Sequence, residues 1–122
     1  MSEQLDYNRW TTYLNEFNRR NRWRPTRLEV LGAMGAQEAE RGLPLVGVTV
    51  EEDRDGSPRI HIMLGDHDAV DPRHLTYTIT RARRLTPRRD TDGLDEALEI
   101  EDEQGERNVL LFEPRPLMSA IY

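Results

Sequence analysis

LVGVTVEEDRDGSPRIHIML, residues 45–64, carries a period of two on both sides of one turn signal. Val46, Val48 and Val50 alternate with small or polar residues, and Ile60, Ile62 and Leu64 do the same. Asp55-Gly56 marks the turn between them. Setting Val50 opposite Ile60 also sets Val48 opposite Ile62 and Val46 opposite Leu64, so one register satisfies the whole apolar face. A disordered chain has no reason to show that agreement, although a mean hydropathy of -0.80 and 33% charged residues would suit one.

Downstream, HLTYTIT repeats the alternation with Leu75, Tyr77 and Ile79, and RRLTPRR continues it after a bend, where Pro87 points to an edge strand. LDEALEIEDEQGERNVLLF reads as a second hairpin around Gln104-Gly105, which opposes Leu98 to Leu111 and Ile100 to Val109. VLLF is apolar on both faces and needs cover on both. Upstream, TRLEVLGA is a short strand, and MGAQEAERG reads as a loop or a single helical turn.

The cover for the sheet lies near the start of the chain. Trp10, Tyr13, Leu14 and Phe17 fall at i, i+3, i+4 and i+7, which predicts an amphipathic helix over about residues 6–20 with Asp6 as N-cap. Pro25 bars its extension beyond Arg24. The expected architecture is one α+β domain over residues 1–122. An N-terminal helix packs on a curved, mostly antiparallel sheet of six to seven strands (about 26–113), followed by a short apolar tail (114–122). A small SH3-like or Sm-like barrel shares that outline. The expected core is Trp10, Leu14, Phe17, Val48, Val50, Ile60, Ile62, Tyr77, Ile79, Leu98, Ile100, Val109 and Leu111.

Composition excludes several chemistries. The chain has no cysteine, and its 17 basic residues are all arginine, so thiolate nucleophiles, cysteine-ligated metals and lysine Schiff bases are impossible. Serine stands only at Ser2, Ser57 and Ser119, none in a nucleophile-elbow context, and no phosphate-binding glycine pattern occurs. Glu99, Glu101 and Glu103 share an outward strand face and read as solvated charge. No catalytic residue and no cofactor is assigned. MSEQLDYNRW has no leader pattern, and no apolar run reaches the ~20 residues of a membrane span, so the expectation is a cytoplasmic protein without a membrane partner.

The three histidines cluster in RIHIMLGDHDAVDPRH, residues 59–74. Aligning Leu64 with Leu75 places His61 opposite Thr78 and His74 opposite Gly65, roughly 13 Å apart at ~3.3 Å per residue, too far for one shared ion. Asp66, His67, Asp71 and His74 are left as a weak candidate site for a divalent metal or a hydrolase, against the plainer reading of a hairpin loop.

Charge is segregated. Residues 73–89 hold six arginines and no acid, whereas residues 90–106 hold nine acids and no arginine. The plainer reading is that the two segments pair across neighbouring strands. The alternative is an RNA or single-stranded DNA surface built from Arg19, Arg20, Arg22, Trp23 and Arg24 with Arg81, Arg83, Arg84, Arg88 and Arg89. The first functional expectation is a non-enzymatic protein-interaction or self-associating module, suggested by the double-faced VLLF strand, the apolar tail and the charge polarity.

RLEVLGAMGAQEAERGLPLVGV, HLTYTI and LDEALEIEDEQGE, together with the helix bearing Trp10, Leu14, Phe17 and Arg19-Arg20, resemble a family of short bacterial proteins known only as a domain of unknown function. The resemblance runs from the helix through Phe112. It implies an independent small domain and brings no activity, cofactor or partner.

Overall fold

The computed structural model describes residues 4–65 and 74–113. A 3₁₀ turn, Tyr7–Arg9, leads into α1, Trp10–Asn21. The expected cap at Asp6 takes another form. Its side chain makes no capping bond, and the Arg9 amide donates to the Asp6 carbonyl instead at 2.9 Å. Trp10, Leu14 and Phe17 are buried as their spacing requires. The helix stops at Asn21, before Pro25 can act, because Arg22 leaves helical geometry at a ψ of 135° and Trp23, at a φ of 70°, completes a turn closed by the Arg24 amide on the Asn21 carbonyl.

Seven antiparallel strands follow: β1 (Pro25–Gly32), β2 (Gly35–Glu52), β3 (Pro58–Gly65), β4 (His74–Ile79), β5 (Ala82–Arg89), β6 (Asp95–Asp102) and β7 (Arg107–Phe112). Their order is β4-β3-β2-β1-β7-β6-β5, so β1 pairs with β7 and joins two meanders into one curled, half-barrel sheet. Pro87 does lie on an edge strand, β5.

Three registers can be compared with expectation. Val48 opposes Ile62 and Val50 opposes Ile60, but a bulge between Leu45 and Gly47 brings Leu45, not Val46, opposite Leu64. Every expected β3–β4 pair is present, including His61 with Thr78 and His74 with Gly65. In the last hairpin the register differs by one: Leu98 faces Leu110 and Ile100 faces Asn108.

A three-residue turn causes that shift. Asp102 and Glu106 close the loop over Glu103, Gln104 and Gly105, with Gly105 at a φ of 85°. Leu110 and Phe112 therefore point into the core, and Leu111 is only half-buried. The segment expected as a loop after Met34 is instead the start of β2, with Ala36, Gln37 and Glu38 paired to β1. Its residues are small or charged, exposed on both faces, and so carry no alternation.

One hydrophobic cluster fills the concave side. Trp10, Leu14 and Phe17 meet Leu28, Leu45, Val48, Ile60, Ile62, Ile79, Leu85, Leu98, Ile100, Leu110 and Phe112, with Val50, Leu75 and Tyr77 partly buried against them. Helix and sheet are also tied by Asn18. Its amide donates to the Val48 carbonyl at 2.9 Å and accepts from the Val48 amide at 2.8 Å, acting as a short strand partner beside the β2 bulge.

The two edge strands β4 and β5 are consecutive in the chain, and the corner between them is Arg81, at a φ of 52°. Its carbonyl accepts from the Glu103 amide, and its guanidinium lies 3.2 Å from Asp55 and 3.7 Å from Glu103. The corner thus gathers the β2–β3 and β6–β7 turns, while no ladder joins β4 to β5 among the described residues.

Candidate functional site

The two basic groups meet at one buried carboxylate. Asp95 opens β6, and its side chain is 5% exposed. Arg20, from the last turn of α1, approaches with both Nε (2.8 Å) and Nη2 (3.2 Å). The Asn21 amide adds a bond at 2.8 Å, and Arg89 stands 4.0 Å away. Arg24 donates to the Asn21 side chain and to the Asp95 carbonyl while its guanidinium stacks 4.1 Å over the Phe112 ring. Burial pushes the Asp95 carboxyl upward, but the hydrogen bonds from Arg20 and Asn21 outweigh it and hold the group below the ordinary carboxylate value. A cleft of ≈ 360 Å³ beside the network is lined by Arg24, Asp90, Asp95 and Phe112 among others.

The rest of the basic segment also meets acids. Arg84 pairs with Glu101 at 3.1 Å and Arg88 with Glu99 at 2.6 Å, on adjacent strands. Of the sites expected to face nucleic acid, Arg20, Arg24, Arg81, Arg84, Arg88 and Arg89 therefore engage carboxylates or carbonyls of this chain. Arg19, Arg22 and Arg83 are exposed, and Trp23 is 40% exposed with the Arg22 guanidinium 5.2 Å from its ring centre.

On the convex face of β2, β3 and β4, His61 sits between Thr49 and Thr78. Its Nε2 lies 2.8 Å from Glu51, and its Nδ1 lies 2.9 Å from Thr78 Oγ1. An ionised carboxylate only accepts, so Nε2 carries a proton, and in the neutral ring Thr78 donates to Nδ1. Glu51 is held below the ordinary carboxylate value chiefly by that histidine. The connectivity is that of an oriented base aimed at a hydroxyl. The neighbouring cavity, ≈ 560 Å³, is lined by Glu51, Asp53, Asp55, Arg59 and Arg81, and Thr78 does not line it. Of the candidate metal residues, His74 is an exposed residue at the start of β4, and Asp66, His67 and Asp71 lie outside the described residues.

The edges of the sheet differ in chemistry. β5 carries Arg83, Arg84, Pro87, Arg88 and Arg89, whereas β4 reads HLTYTI, continued by Thr80, with no formal charge, proline or glycine after His74. Thr76 and Thr78 are exposed, and Leu75 and Tyr77 are half-buried. Pro87 marks β5 as an edge in the sequence, whereas nothing in HLTYTI marks β4 as one until strand order is known.

A family model matches residues 1–119, almost the whole chain, and its description is a family of unknown function. The chain belongs to the DUF5335 family. The resemblance read from HLTYTI and LDEALEIEDEQGE is thereby shown. No curated protein and no solved structure matches it. For this DUF5335 chain no helix among the described residues is long and apolar enough to cross a membrane.

Proposed function

We propose that the chain is a non-enzymatic protein-interaction or self-associating module of the cytoplasm. The observation that carries the reading is β4, an edge strand with no ladder partner on its outer side among the described residues and no charge or proline to deter one. Exposed backbone donors and acceptors on such an edge accept another extended strand. The VLLF strand adds less than its sequence suggests. Leu110 and Phe112 are used in this chain's own core, while Val109 is 4% exposed and Leu111 is half-buried. In shape the reading likens the fold to small SH3-like or Sm-like barrels, supported by two meanders that β1 and β7 join into one curled sheet. Light scattering over a wide range of protein concentration tests the module: the expected result is a mass that rises with concentration to twice the chain's. A monomer throughout, with no strand-forming partner bound, overturns it.

A second reading, RNA or single-stranded DNA binding, draws on Trp23, an exposed aromatic in a strained left-handed conformation with Arg19 and Arg22 close in sequence. Binding of a mixed oligonucleotide that weakens steeply with salt and is lost in Trp23→Ala supports it. No binding at low salt ends it.

A further inference from the structure

We propose that two copies of this chain pair through β4, antiparallel, about a twofold axis at Tyr77. The proposal rests on the self-association reading above and specifies its geometry. Tyr77 then opposes Tyr77 of the second copy, Thr76 opposes Thr78, and Leu75 opposes Ile79.

That register is self-complementary on both faces. On the outer face, exposed Thr76 meets exposed Thr78, a cross-strand pair of β-branched residues that favours a ladder. On the inner face, Leu75 and Tyr77 are only partly covered by this chain's core, and Ile79 is buried. Pairing about Tyr77 lays the half-covered Tyr77 rings of the two copies against each other and each Leu75 beside the partner's Ile79, extending two seven-stranded sheets into one. The contact is isologous and closes at two copies.

Charge restricts where two copies can meet. The chain carries a net charge of -6, with 33% of its residues charged, so two copies repel over most of their surfaces. Residues 75–80 are uncharged, and Arg81 at their end is occupied by Asp55 and Glu103. The opposite edge is guarded, with four arginines and a proline on β5.

The test uses two double variants, Thr76→Lys with Thr78→Lys and Thr76→Glu with Thr78→Glu. Each sets like charges opposite one another across the twofold, at positions exposed in the single chain. By native mass spectrometry each variant alone is expected to be monomeric, and an equal mixture is expected to form a one-to-one heterodimer. Because the chain has no cysteine, Tyr77→Cys supplies an independent reading: its oxidation is expected to give a disulfide-linked dimer. Dimers that persist in both charged variants, or a Tyr77→Cys chain that stays uncrosslinked while the wild type dimerises, overturn the β4 geometry and leave self-association standing. A wild-type monomer at every concentration overturns both.

Discussion

Asp95 concentrates the energetics of single residues. Its carboxylate is out of water, accepting from Arg20 with both oxygens and from Asn21 with Oδ2, so its charged form is the folded form. A folded-state pKa below the unfolded value means that the stabilisation is fully present above the unfolded pKa, about 3.9. It is lost as pH falls through the lower folded value. Asp95→Asn removes the charge and strands Arg20, which is 37% exposed and so recovers part of its hydration. Urea unfolding at neutral pH is expected to show a loss of about 2 kcal/mol, discounted from the cost of breaking a fully buried pair. Below about pH 4 the variant's stability is expected to fall less steeply than the wild type's. Parallel pH dependences would assign the ion pair no share in stability. None of this network is legible in sequence, because Arg20 and Asp95 are 75 positions apart and only the sheet's curl brings them together.

Among the elements, the hairpins show where pattern reading holds and where it slips. The β3–β4 ladder and the Val48–Ile62 and Val50–Ile60 pairs of β2–β3 follow from alternation, because only one face of each strand is apolar and a slip would turn it to water, whereas the bulge that brings Leu45 opposite Leu64 does not. In VLLF both faces are apolar, so alternation is silent and the turn decides. The deciding signal is short and occurs three times: Asp53, Asp90 and Asp102 each precede by three residues a glycine at positive φ, Gly56, Gly93 and Gly105. Asp102 accepts the Gln104 and Glu106 amides, and Asp90 accepts those of Asp92 and Leu94 in the same way. Gly105→Ala must hold an L residue at a φ of 85° and is expected to cost about 1 kcal/mol in thermal or urea unfolding. No change in stability would mean that the three-residue turn, and the register built on it, is misplaced.

In the whole molecule, part of the charge segregation is internal. Arg84 and Arg88 of β5 pair with Glu101 and Glu99 of β6, and Arg20 of the first basic group closes on Asp95, so part of the sequence's polarity is used in holding the curled sheet. RIHIMLGDHDAVDPRH divides as register demanded, with His61 on the convex face between two threonines and His74 at the far end of the β3–β4 ladder. What the composition conceals is the quiet stretch, LTYTIT, which becomes distinctive only when strand order places it on an open edge. Amide hydrogen exchange followed residue by residue at low and high protein concentration tests that edge most directly. The alternate amides of residues 74–79 that point away from β3 are expected to exchange fast in dilute solution and to slow as concentration rises, with the β5 edge unchanged. Identical exchange of those amides at every concentration, fast or slow, would contradict pairing between copies through β4.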